Sequence, residues 1–286
     1  AEAAPAEAAP AEKAPAEAAA AAAQEEAKAA AAEDVSVEVF ASFKEAAKAK
    51  HGKEANSGAA FQALRTLLRE YGVEKLEAEL TADGLVKGGK LTTATKPFNL
   101  FARLAAEEMV QEEMAASNAL LGEAGARWLV ACNRKENDEQ YQSSAPEWVG
   151  RASMSARHCF LTVRDLDWKW FNVLTIGIGG AADELRAAVA RMEEMLATAT
   201  AFAQAEGWSS HLGLYFHCYP HNSVPSLHLH LVDLDATGPT YGALQYKNLP
   251  AEAVLAVLRA EADEAARSGK TTAEAAPAEA AAAEAA

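Results

Sequence analysis

From Arg127 onward apolar residues fall into short runs with strand character, whereas before it they recur every three to four residues. Trp128-Leu129-Val130-Ala131-Cys132 and Cys159-Phe160-Leu161-Thr162-Val163 predict two strands, and Phe171-Asn172-Val173-Leu174-Thr175-Ile176 predicts a third. Gly177, Gly179 and Gly180 then break the pattern. A helix follows, with Leu185, Val189, Met192 and Leu196 on its inner stripe and Asp183 and Glu184 in its first turn, where the helix dipole favours negative charge. Two further strands, Leu212 to Tyr219 and Leu227 to Leu234, are joined by a turn rich in Pro, His and Asn, and a last amphipathic helix runs from about Ala251 to Arg267. Between Val35 and about Gly125 the period is helical: Phe61, Leu64, Leu67, Leu68 and Tyr71 form one stripe, and Phe98, Phe101 and Leu104, continued by Met109 and Val110, form another. Gly72 and Gly84 punctuate that region, and Pro97 is placed to open its second stripe. Strands, a long helix and two more strands make an α+β chain with an antiparallel sheet.

The strand near the C-terminal end carries the chemistry. It reads Asn222-Ser223-Val224-Pro225-Ser226-Leu227-His228-Leu229-His230-Leu231-Val232-Asp233. Successive side chains of a strand point to opposite faces, so His228 and His230 project together while Leu227, Leu229 and Leu231 turn toward the core. Two adjacent imidazoles on a rigid element suit a phosphate, since one ring can attack or bind while its neighbour donates hydrogen bonds.

Composition sets the limits. Residues 1–34 repeat Ala-Glu-Ala-Ala-Pro-like units and residues 269–286 return to the same composition, so both ends are expected to be disordered tails flanking a helical region at 35–125 and an α+β domain at 126–268. With 41 acidic residues against 26 Lys and Arg, and no basic cluster, the chain would repel an extended nucleic acid, although a single nucleotide could sit in a local pocket. Cys132, Cys159 and Cys218 are odd in number and widely spaced, which reads as a reducing compartment without a disulfide framework. No apolar run approaches the roughly 20 residues of a membrane span and no signal peptide opens the sequence, so a soluble, cytoplasmic protein is expected. The first residue is Ala, not Met, which fits a chain processed from a longer precursor.

The His-bearing strand resembles the signature of the histidine-triad (HIT) superfamily, alternating His and apolar residues behind an Asn-Ser-Val stretch, and the resemblance covers about Arg127 to Asp235. The anchor Asn222-Ser223-Val224 makes Ser226 the first triad position, His228 the central one and His230 the third; shifting by one pair would put Val232 in third place instead. In either register one histidine is missing. The resemblance implies a sheet with a long helix against one face, and a site in which the central histidine attacks the α-phosphate of a nucleotide while its neighbours hold the phosphate. Carried over, His228 is the nucleophile, His230 the phosphate-side donor, and Ser226 offers a hydroxyl and an orienting carbonyl. Asn222, Ser223, His217 and His221 are candidate nucleotide contacts from the preceding strand and turn.

Gly177-Ile178-Gly179-Gly180 fits neither the dinucleotide fingerprint nor a P-loop, and Asp183 and Glu184 would repel an anion there. His228 and His230 with His217 and Cys218 could hold zinc, but a third and fourth ligand at fixed spacing are lacking, so neither metal nor cofactor is expected. Lys247, in the C-terminal extension, either packs on the sheet or reaches a phosphate. The lost triad position and the appended elements point first to a degenerate HIT-like binding or scaffolding subunit that docks on other proteins of an intracellular assembly, ciliary or cytoskeletal, and that retains a nucleoside monophosphate. The intact central histidine points to an active nucleotide hydrolase or transferase.

Overall fold

The computed structural model describes residues 40–52, 54–93 and 99–269. The expectations placed on the low-complexity ends, on Pro97 and on Phe98 lie outside the described residues.

Three helices come first: α1 (Phe43–His51), α2 (Gly58–Tyr71) and α3 (Val73–Ala82). The hydroxyls of Ser42 and Ser57 accept the backbone N–H of Glu45 and Ala60 at 3.2 Å, satisfying donors that a helix start leaves without a partner. The whole stripe from Phe61 to Tyr71 is buried. A hairpin too short to leave a period in the sequence, β1 (Val86–Lys87) and β2 (Lys90–Leu91), turns at Gly88 and Gly89, both with positive φ, inside the region read as helical. Two short helices follow, α4 (Leu100–Ala105) and α5 (Ala115–Ala119).

The sheet is built from β3 (Trp128–Cys132), then, after the short α6 (Lys135–Glu139), β4 (His158–Val163). Beyond the long α7 (Ala182–Ala205) come β5 (Leu212–Phe216), β6 (Leu229–Asp233), a short α8 (Pro239–Ala243), β7 (Leu249–Pro250) and the closing α9 (Ala251–Arg267). The five strands are antiparallel throughout, in the order β3-β4-β6-β5-β7. The protein is α+β.

Phe171 to Ile176, expected as a strand, is not one. Asn172 accepts the backbone N–H of Leu174 through its side chain while the Thr175 hydroxyl accepts that of Asn172, a reciprocal cap that winds Val173–Thr175 into a 3-10 turn. Its apolar side chains are buried, so the run has the hydrophobicity of a strand without its extension. Gly177 follows at φ +63, where a Cβ would stand 3.1 Å from that of Ala188 on α7; the glycine lets the turn close onto the helix.

On one face of the sheet Leu229 and Leu231 are fully buried, and Trp128 donates its indole N–H to Glu194 on α7 at 2.9 Å, which ties that face to the long helix. The opposite face carries α4: Phe101 packs edge-on against Phe160 of β4, with ring centroids 5.3 Å apart. The helical region is laced to the rest by Arg65 of α2, which is fully buried. Its guanidinium donates to the carbonyls of Leu174 and Ile176 at 2.8 and 2.9 Å and to the Glu261 carboxylate of α9. The described residues accordingly fall within a single unit.

Candidate active site

Strand pairing brings the histidines together. Phe160 lies opposite His230 across β4 and β6, and Tyr215 lies opposite His230 across β6 and β5, so His158, His217, His228 and His230 belong to one face of the sheet. The His217 and His230 ring centroids are 4.0 Å apart, those of His228 and His230 4.9 Å, and those of His158 and His230 5.3 Å. His158 was not among the residues expected in the site. It begins β4, one position before the strand read from the sequence, two residues from Phe160 and in phase with it.

Hydrogen bonds assign a tautomer to each ring. The Nδ1 of His158 accepts the backbone N–H of Met154 at 3.2 Å, with the Asn133 amide nitrogen also at 3.2 Å; a backbone N–H cannot reverse its role, so in the neutral ring the hydrogen is on Nε2. That Nε2 donates to Nδ1 of His230 at 3.1 Å, which places the His230 hydrogen on its own Nε2. His228 donates its Nδ1–H to the Ser226 carbonyl at 2.8 Å and keeps a lone pair on Nε2. His217 donates Nε2–H to Asn248 Oδ1 at 2.9 Å, the Asn248 amide nitrogen being engaged by the Met154 sulfur, and keeps a lone pair on Nδ1. Burial disfavours the charged form of all four rings, lowering His158 to about 3 and His228 to about 4 and taking His217 and His230 well below their ordinary value.

The cluster opens on a cavity of about 560 Å³, within the range of small-ligand sites. Leu100, Phe101, Met109, Phe160 and Val224 form an apolar wall, and the Phe101 ring stacks on His228 with centroids 4.3 Å apart. Arg134, Asn137, Arg151 and Lys247 contribute the polar wall; Arg134 and Arg151 are exposed, whereas Lys247 is 6% exposed. Burial alone lowers the Lys247 ammonium from its ordinary value.

Of the residues singled out in the sequence, His217, Ser223, His228 and His230 line this cavity. Ser226 does not. Its hydroxyl is buried without a hydrogen-bond partner among the described residues, and the residue lines a separate void of about 10 Å³ together with Phe101, Thr162 and Trp170. What Ser226 gives the site is its carbonyl. Asn222 spends its amide on the carbonyls of Val224 and Pro225, shaping the turn, and neither it nor His221 lines the cavity. The glycines at 177, 179 and 180 line a different depression, with Arg69 and Glu261.

His217, His228 and His230 each present a ring nitrogen within 4.8 Å of the others, the spacing of a metal site. The donor set does not suit one. The Met154 amide, acting through His158, leaves a hydrogen on Nε2 of His230, so the cluster offers two lone pairs and one N–H. That N–H is buried and has no hydrogen-bond acceptor among the described residues.

Compared with known proteins, the chain matches no family model, no curated protein and no solved structure. No helix among the described residues is long and apolar enough to cross a membrane.

Proposed function

We propose that the cavity binds a nucleotide with its α-phosphate at His228 and His230, and that the protein is a HIT-type nucleotide hydrolase or transferase in which His228 is the nucleophile. The observation that carries this reading is the tautomer pair: a lone pair on His228 Nε2 beside an unspent N–H on His230 Nε2. In the reaction the His228 lone pair forms a bond to phosphorus as the bond to the leaving group breaks. Water then displaces the imidazole and the nucleoside monophosphate departs. The His230 N–H faces the phosphoryl oxygen on which charge develops, and the Ser226 carbonyl steadies the His228 ring as it becomes positive. The antiparallel sheet with the long α7 on one face and the histidines on the other supports the same reading.

The position of the Ser226 hydroxyl outside the cavity favours a second reading, a binding or scaffolding subunit that holds a nucleoside monophosphate without turnover. Incubation with adenosine 5′-phosphoramidate separates the two. Turnover that vanishes in His228→Ala, with a nucleotidyl adduct on His228 seen by mass spectrometry, is the expected result, and His230→Ala should slow it roughly 10²- to 10³-fold. AMP binding without turnover would leave the binding subunit, and neither binding nor turnover would refute both.

A further inference from the structure

Resting on the nucleotide reading above, we propose that Lys247 is the phosphate-neutralising cation of this site, contributed by the C-terminal segment in place of the ring that Ser226 cannot supply. Apart from Arg134 and Arg151, which are exposed, the cavity has no other cation among the described residues, because burial keeps His158, His217, His228 and His230 neutral. Lys247 lines the same cavity, and its ammonium is near enough to His217, His228 and His230 to disfavour a proton on each.

Two features mark the lysine as a ligand group. Among the described residues no carboxylate or hydrogen-bond acceptor meets its ammonium, although the residue is only 6% exposed. Burial of most of the side chain strips the ammonium of part of its hydration with no counter-charge to offset the loss, and packing alone would be as well served by an apolar side chain of the same length. Its placement is also fixed by the histidine cluster. Asn248, the next residue, accepts from His217, and Leu249 pairs with Phe216 one residue before His217, so the register of β7 on β5 holds Lys247 at the cavity. Behind it, the Lys247 N–H donates to the Leu244 carbonyl at the end of α8.

The probes are AMP and uncharged adenosine, titrated against the unmodified protein, Lys247→Met and Lys247→Arg. Loss of one charge-assisted contact should weaken AMP roughly ten- to a hundredfold in Lys247→Met and leave adenosine within about twofold. Lys247→Arg, which keeps the charge, should retain AMP binding within about tenfold. Without ligand, the unfolding midpoint of Lys247→Met should equal or exceed that of the unmodified protein, because a partly desolvated charge without a counter-charge has been removed; a lysine kept for structure would give a lower midpoint. Unchanged AMP affinity in Lys247→Met, or equal losses for AMP and adenosine, would overturn the role of Lys247 and leave the nucleotide reading standing. Failure of the unmodified protein to bind AMP would overturn the nucleotide reading and the role of Lys247 with it.

Discussion

Acid should unfold this protein through its histidines, and replacing His228 by asparagine measures one ring's share. An imidazole that titrates at 6.5 in the unfolded chain and at about 4 in the folded protein binds its proton more readily once unfolded. Its neutral form therefore contributes fully above pH 6.5, and the contribution is lost as pH falls from there toward 4. Between pH 7 and pH 5 that ring alone forfeits about 2 kcal/mol. His158, lowered to about 3, forfeits a similar amount, and His217 and His230, held well below their ordinary value by burial, add to the loss in the same direction. The substituted asparagine would not titrate, and its amide nitrogen can still reach the Ser226 carbonyl. Urea unfolding followed by tryptophan fluorescence at pH 7 and pH 5 should thus show a drop in stability about 2 kcal/mol smaller in His228→Asn than in the unmodified protein. The carboxylates held low by their partners, Glu194, Asp233 and Glu261, are common to both proteins and cancel in the difference. An equal drop in both would refute the claim that His228 is buried in its neutral form, and a flat profile from pH 7 to pH 5 would refute it for the cluster.

Glu261→Gln removes the carboxylate that accepts from the buried Arg65 and should cost about 3 to 5 kcal/mol in chemical unfolding; a loss no larger than that of an exposed ion pair would mean that the guanidinium finds water instead. Ser226→His would place a histidine where the proposed HIT reading asks for one in sequence only, because Ser226 lines a void of about 10 Å³ walled by Phe101, Thr162 and Trp170. We expect about 1 to 3 kcal/mol of destabilisation from overpacking and no gain in phosphoramidate hydrolysis, and a gain would show that α4 yields to make room.

Where period and burial coincide, the chain announces its own structure: the Phe61 to Tyr71 stripe, the strand Trp128–Cys132 and the helix Ala251–Arg267 are all legible from spacing. Phe171 to Ile176 misleads because hydrophobicity records burial and not extension, and a side-chain cap at Asn172 decides between them. In the site, His217, His228 and His230 stand out as histidines in phase on strands. His158 is less visible: it precedes its strand by one residue in the sequence reading and reaches His230 only through the pairing of β4 with β6, a long-range choice that leaves no local trace. The same holds for the plugging of the Ser226 side by Phe101, set by where α4 lands on the sheet.

Arg65 has a consequence for the order in which the chain can be completed. Its partner Glu261 lies 196 residues away, and between them come the carbonyls of Leu174 and Ile176 that the same guanidinium also meets. During synthesis α2 emerges before the capped turn and long before α9, so the guanidinium can meet the two carbonyls well before it meets its carboxylate. The ion pair is thus a late, long-range closure: α2, the capped turn at 173–175 and α9 meet at one guanidinium, and without α9 Arg65 would keep its two carbonyls but lose its counter-charge.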